Sequence, residues 1–374
     1  MKIRGAVLTA AGAEQPYATS QPLGIQELHI DDPRPSEVLV RVEAAGVCHS
    51  DLSVVNGDRV RPLPMLLGHE AAGVVKAVGS EVSDLKPGDH VVMAYVPSCG
   101  ECPFCLADQP ALCTPGAAAN GAGELLAGGR RLADAAGQPV NHHLGVSGFS
   151  DYAVIDRSSL VRVDDDIPFD VAALFGCAMS TGFGAVTRTA GVQAGDTVVV
   201  IGLGGVGLSA VMAAAAVGAS VIVAVDPVQE KRERAREMGA THLATPDDAA
   251  QLVADVTGGA RWVFEAVGSA AVLAQAVALT GRGGTTVAIG LPHPSATLTI
   301  PALPIVAESK TITGSYMGST RPQIDIPAMI ELWRDGNLPV ERLISGYRPL
   351  HEINEALDEL ASGAAIRQII TPQR

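Results

Sequence analysis

The apolar residues of this chain change rhythm near Ser180. Before that point short alternating runs, such as Glu37-Val-Leu-Val-Arg-Val42 and Gly73-Val-Val-Lys-Ala-Val78, are separated by Pro and Gly, which predicts strands with one buried face. Lys86-Pro-Gly-Asp-His-Val-Val92 reads as a turn feeding another strand. Residues 114–147 hold much Gly and Ala with few periodic apolar positions, which predicts an irregular surface excursion. After Ser180 the runs become continuous. Thr197-Val-Val-Val-Ile201, Ser220-Val-Ile-Val-Ala-Val225, Trp262-Val-Phe-Glu-Ala-Val267 and Gly284-Thr-Thr-Val-Ala-Ile289 read as buried strands. A small-residue helix over Val206 to Val217 and a charged amphipathic helix over Pro227 to Met238 alternate with them, the pattern of a doubly wound α/β domain. Beyond about residue 320 two amphipathic helices (Ile324 to Arg334, Leu350 to Ser362) precede a last strand, Arg367-Gln-Ile-Ile370.

From Thr197 to Val225 no residue carries a charge, a run long enough to span a bilayer. Five glycines interrupt it (Gly202, Gly204, Gly205, Gly207, Gly218), and β-branched ends flank an Ala-rich middle. Strand, glycine turn, helix and strand account for it, and no membrane is expected. A hydrophobic content of 47% against 18% charged residues fits a well-packed enzyme of two domains. The net charge of −14, from 40 acidic and 26 basic residues without a basic cluster, argues against nucleic acid as a partner.

Gly202-Leu-Gly204-Gly205-Val206-Gly207 fits the dinucleotide fingerprint, placed between a strand and a helix. The glycines permit a tight turn and close approach to a pyrophosphate at the positive end of the helix. Asp226 ends the next strand, where a carboxylate accepts from the ribose hydroxyls and repels a 2′-phosphate; NAD is therefore expected over NADP. Lys231 either reaches the same ribose or is a solvated first-turn lysine.

The six cysteines divide in a way that points to metal. Cys99-Gly-Glu-Cys102-Pro-Phe-Cys105, followed by Cys113, has the density of a closed four-thiolate zinc site. Cys48 and Cys177 stand apart, with His69 between them in sequence; two thiolates and an imidazole leave one coordination position open for chemistry. Thiolate ligands need a reducing compartment, so the cytoplasm is expected.

These motifs together resemble a zinc-containing medium-chain alcohol dehydrogenase, over almost the full length. The agreement lies in Gly46-Val-Cys48-His49-Ser50-Asp51, Gly68-His69-Glu70-Ala-Ala-Gly73, the four-cysteine run, Gly176-Cys177-Ala-Met-Ser-Thr-Gly182, and the glycine fingerprint with Asp226. The resemblance implies a mainly β, GroES-like catalytic domain over 1–178 continued by 320–374, and a Rossmann-type domain over 179–319. It implies two zinc ions, catalytic (Cys48, His69, Cys177) and structural (Cys99, Cys102, Cys105, Cys113). It further implies a small-molecule alcohol or aldehyde substrate and a homodimer, as in the dimeric branch, with a tetramer as the alternative. Zinc acidifies the alcohol, which passes a hydride to the nicotinamide.

By the same resemblance Ser50 contacts the alcohol oxygen, Asp51 fixes the His69 tautomer, Glu70 lies behind the metal, and Arg367 grips the cofactor pyrophosphate. Ser50 as a helix cap and Glu70 as a buried strand-end carboxylate are the plain alternatives. The chain departs from the family pattern in three places. His49 stands where many relatives carry a pyrophosphate arginine, and Ser53 where several have a histidine ending the proton relay. Tyr95 keeps the usual aromatic character of the substrate pocket, whereas His143 falls where an aromatic ring is common. With Arg59 near the expected pocket mouth, His143 points to a polar or acidic substrate; a rim histidine and a solvated arginine explain the pair equally well. The expected activity is NAD-dependent oxidation of primary or aryl alcohols. The alternatives are a thiol-dependent formaldehyde dehydrogenase, for which the uncharged stretch Pro115-Gly-Ala117-Ala-Ala counts against glutathione but not against a different thiol, and a non-catalytic family member.

Overall fold

The computed structural model describes residues 1–373 and divides the chain into two compact units. One comprises Met1–Cys177, Arg321–Pro327 and the stretch from Leu343 onward; the other comprises Ala178–Thr320 and Ala328–Arg342.

The first unit is mainly β. Strands Lys2–Leu8, Leu23–Ile30, Leu132–Ala133, Pro139–His142 and Met65–Leu66 close into a barrel. Its interior is filled by Ile3, Val7, Leu28, Ile30, Leu66 and Val140, the inward set of the alternating pattern. A second, seven-stranded sheet is built around Glu37–Gly46, which pairs with Glu70–Val78, Tyr152–Asp156 and the C-terminal Arg367–Thr371. That pairing brings the end of the chain against the strand that leads to Cys48.

The second unit holds six parallel strands, in the spatial order 242–244, 221–225, 197–201, 260–265, 280–288, 311–314. Val199, Ile201, Val223, Val225 and Val263 pack there, buried because helices cover such sheets on both faces. The uncharged stretch 197–225 is strand, turn, helix and strand, as its glycines require. Gly202 takes φ of +90°, and a Cβ on Gly207 would lie 1.8 Å from the Gly202 carbonyl, so no larger residue fits the turn. Among the described residues one helix, Phe169–Ala190, is long and apolar enough to cross a membrane, and 83% of that window is buried in the protein.

Two expectations are corrected. The 114–147 excursion contains a nine-residue helix, Thr114–Ala122, and two short barrel strands. Cys113 Sγ accepts from Gly116 N–H at its N-terminus, Pro115 sits in its first turn and Gly123 ends it in the left-handed region, so caps rather than an apolar stripe define it. The tail 320–374 does not stay together: 328–342 groups with the second unit. There Arg342 bonds to Glu237, and Arg234 donates to the Arg342 carbonyl.

Candidate functional site

Cys48 is the N-cap of the helix His49–Val55, immediately after the strand Glu37–Gly46. Its sulfur takes part in a capping box with Asp51, so Ser50 is not the cap. His69 precedes the strand Glu70–Val78, and Cys177 lies in a π-helical turn, Phe175–Met179, a feature frequent at functional sites. The three side chains converge. Their ligand atoms lie within 4.8 Å of one another, all buried, with Cys177 Sγ 3.4 Å from His69 Nε2.

Asp51 stands behind His69. Its Oδ1 is 3.0 Å from His69 Nδ1, and since a carboxylate only accepts, that nitrogen carries the proton and Nε2 presents its lone pair to the thiols. Burial opposes ionisation of Asp51, yet the charge of His69 and the contacts from His143 and His69 hold its carboxyl well below the ordinary range. A hydrogen bond from Cys177, opposed by burial and aided by Arg367 and His69, pushes the Cys48 thiol down. Burial disfavours charge on His69, but Asp51 and Cys48 raise its pKa well above the ordinary value. The pocket thus carries surplus negative charge that stabilises a cation at Nε2, a proton or a metal ion. Two soft thiols and an imidazole of fixed tautomer are the donors zinc prefers, and a divalent cation neutralises that surplus; the residues fit the metal.

Glu70 and Arg367 form a second buried pair beside the first. Glu70 Oε1 is 3.1 Å from Arg367 Nε, and Arg367 Nη1 donates to the Val47 carbonyl. Gly46 makes room for this pair, because a Cβ there would lie 2.4 Å from Glu70 Oε1. Burial works against the guanidinium's charge, but Cys48, Glu70 and Cys177 raise its pKa. The sequence led to an expectation of Arg367 on a pyrophosphate; the structure surrounds its side chain, 2% exposed, with these anionic groups, and Nη2 is left without a hydrogen-bond partner.

Cys99, Cys102, Cys105 and Cys113 also bring their sulfurs within 4.8 Å of one another, and all six cysteines are free thiols. Backbone N–H groups point at the sulfurs, from Cys99 to Cys113 (3.2 Å), Cys102 to Cys99 (3.3 Å) and Gly116 to Cys113 (3.4 Å). Backbone hydrogen bonds lower Cys102 to about 6, whereas burial raises Cys105 to about 12. Four sulfurs so gathered make a closed tetrahedral donor set.

In the second unit Gly204 caps the helix Gly205–Ala216, which begins with Gly205, Val206 and Gly207, and leaves its first N–H groups for an anion. Asp226 is buried at the strand end, each carboxylate oxygen accepting one backbone N–H (from Leu203 and Val228, both 2.9 Å) and keeping lone pairs for further donors. Lys231 is half-buried in the following helix. The cation bonded to the strand end is its neighbour Arg232, which donates to the Asp226 and Pro227 carbonyls.

The remaining candidates fall unevenly. Ser50 and His49 begin the first helix of the site, and Ser53 Oγ donates to the His49 carbonyl. Tyr95 meets the His69 ring edge-on at 5.5 Å, and Asn120 holds the Tyr95 carbonyl (3.0 Å), a role no local signal announces. His143 differs most from expectation: it is buried, with Nδ1 3.2 Å from Asp51 Oδ1, so its polar character is directed at Asp51. The arginine whose charge reaches His143 is Arg61 rather than Arg59.

Comparison with known proteins agrees with this chemistry. Residues 34–165 match the alcohol dehydrogenase GroES-like domain, and residues 205–335 the zinc-binding dehydrogenase family. The chain is 39% identical over 376 residues to an NDMA-dependent alcohol dehydrogenase of Amycolatopsis methanolica, covering 99% of each. Its fold is similar to that of benzyl alcohol dehydrogenase from Acinetobacter calcoaceticus (TM-score 0.90, 33% identity, 99% of each chain). It is similar as well to a zinc-binding dehydrogenase of Sinorhizobium meliloti bound to NADP (TM-score 0.81, 25% identity, 100% of each chain). The chain belongs to the zinc-containing medium-chain alcohol dehydrogenase family. It is an alcohol oxidoreductase that works with zinc and a nicotinamide cofactor.

Proposed function

We propose that this protein transfers a hydride between a primary or aryl alcohol and NAD, with one zinc held by Cys48, His69 and Cys177 and a second by the four-cysteine lobe. The observation that carries the reading is the buried convergence of two thiols on an imidazole whose far nitrogen is fixed by Asp51. Bound there, zinc supplies a Lewis acid for the alcohol oxygen, and the nicotinamide supplies the hydride acceptor. The chain's own groups do the rest. Asp51 keeps His69 in the tautomer that offers Nε2. Ser50 would accept the alcohol proton while giving up its own hydroxyl proton to water, because the Ser53 hydroxyl is committed to the His49 carbonyl and does not end a relay as a histidine would. Tyr95, whose ring meets His69 at 5.5 Å, supplies an aromatic ring beside the metal ligands that suits an aromatic substrate.

The Asp226 carboxylate supports NAD, since it would repel a 2′-phosphate. No cation lies in Pro115-Gly-Ala117-Ala-Ala to hold a glutathione carboxylate, which counts against glutathione as the thiol but not against a different one. Thiolate chemistry fits the cytoplasm, and the dimeric family branch fits a homodimer. A panel of benzylic and aliphatic alcohols, assayed with NAD, with NADP and with added NDMA, tests the proposal. NADH formation from an alcohol supports it. Turnover that requires NDMA places the chain beside its Amycolatopsis relative and refutes exchange of free NAD. No turnover with any of them refutes the enzyme reading.

A further inference from the structure

The Asp51 carboxylate is crowded. Its Oδ2 accepts the Cys48 N–H (3.1 Å), while Oδ1 faces the Gly68 N–H (3.2 Å), His69 Nδ1 (3.0 Å) and His143 Nδ1 (3.2 Å). All of these groups are buried. Because the carboxylate can only accept, His69 Nδ1 donates to it; His143 Nδ1 lies almost as close but outside hydrogen-bond alignment, and a proton on that nitrogen is the form the carboxylate attracts. Asp51, His69 and His143 have the spacing of a metal cluster, with ligand atoms within 4.8 Å. The carboxylate is already taken up by His69 Nδ1 and by the Cys48 and Gly68 N–H groups, however, so the trio is a cluster of dipoles around Asp51 and not a third metal site.

We infer that His143 is a positioning residue of the catalytic metal centre, drawing on Asp51 Oδ1 so that less of the carboxylate's charge reaches His69. The inference rests on the zinc reading of Cys48, His69 and Cys177. A carboxylate behind a ligating imidazole raises the ligand's basicity and strengthens its hold on the metal. A second N–H dipole at 3.2 Å in a buried site opposes that effect. At that distance His143 Nδ1 still falls outside hydrogen-bond alignment, and its action is therefore that of a dipole and not of an aligned hydrogen bond. Two backbone N–H groups, of Cys48 and Gly68, already fix the carboxylate from independent strands of the chain. Removing the His143 donor consequently redistributes charge without releasing Asp51. The metal of the native protein is held less tightly, and remains more electrophilic, than in a protein with a plain aromatic ring at this position.

The test uses two substitutions and a readout other than turnover. His143→Phe keeps a ring and removes the donor; His143→Asn removes the ring but places an amide N–H near the former Nδ1. The holoenzymes are dialysed against a chelator for timed intervals and their zinc is counted by mass spectrometry, giving one release phase per site. The expected result is that His143→Phe slows one phase by about threefold to tenfold, a fraction of the 10–100-fold range for partners of ligating histidines. The four-cysteine phase stays unchanged and serves as the control for folding, and His143→Asn releases zinc at the wild-type rate. A lower kcat at constant KM should accompany the slowed phase. Equal release by all three proteins overturns the inference, as does faster release from His143→Phe, which would make the histidine a mechanical prop. Slow release from both variants overturns it too, by tying the effect to the ring. Wild-type protein with no zinc beyond the four-cysteine site defeats the functional reading itself, an outcome distinct from these.

Discussion

Replacing Arg367 by Met removes a buried charge from the centre of the site while keeping much of the side chain's volume. Arg367 Nε is 3.1 Å from Glu70 Oε1, and both side chains are almost wholly buried. At an effective dielectric constant near 20 a pair at that separation attracts with about 5 kcal/mol, most of which repays the desolvation of the two groups. Breaking it from one side removes the buried cation that Glu70 and the Cys177 thiol face, so Arg367→Met should destabilise the first unit by about 3–5 kcal/mol. Glu70→Gln in the same background removes the stranded charge and should restore at least about half of that loss. Urea midpoints for the four proteins of the cycle, at one fixed zinc concentration, measure the coupling. A single-variant loss below about 1 kcal/mol, or additive effects of the two substitutions, would refute the claim that the pair is a compensated buried charge. The double variant separates this role from cofactor binding. If Arg367 also reaches the pyrophosphate through its unpartnered Nη2, NADH affinity stays weak in the double variant even where stability returns.

Other outcomes follow from the same geometry. Cys102→Ser or Cys105→Ser should impair folding, because a closed metal site contributes folding energy, whereas Cys48→Ser or Cys177→Ser should abolish turnover in a folded protein that keeps one zinc; metal analysis beside circular dichroism decides. Asp226→Ala should narrow the ratio of NAD to NADP efficiency chiefly by weakening NAD, and equal wild-type efficiencies would remove Asp226 from the ribose. Burial, then the charges of Arg131 and Arg130, lower His142 from 6.5 to about 3, and its Nε2 accepts the Arg131 N–H. The unfolded chain binds this proton first, so stability present above pH 6.5 is lost as pH falls towards 3, with a slope of up to about 1.4 kcal/mol per pH unit from this residue. His142→Gln, which keeps an acceptor, should flatten that part of the pH–stability curve; an unchanged curve would show that His142 is not buried neutral. His49→Arg should slow NADH release in stopped-flow measurements, since a bidentate permanent cation replaces an imidazole, and an unchanged rate would place His49 away from the cofactor.

The sequence by itself determined what depends on near neighbours. The run Thr197–Ile201 is a strand because five β-branched residues in series favour no other element, and its glycine turn follows because Gly207 must meet the Gly202 carbonyl. The four clustered cysteines were legible for the same reason: their short spacing lets one turn of chain gather them. The helix Thr114–Ala122 was hidden, since its caps act through a cysteine sulfur and its apolar face is made of alanines. Only the tertiary structure decided who stands behind the metal ligands. His143 meets Asp51 because barrel strand Pro139–His142 runs parallel to Met65–Leu66, just ahead of His69. Arg367 meets Glu70 because the last strand pairs with Glu37–Gly46, opposite the start of Glu70–Val78. Buried charges must find partners wherever the fold places them, and strand pairing between distant segments leaves no periodicity in the chain from which those partners can be read.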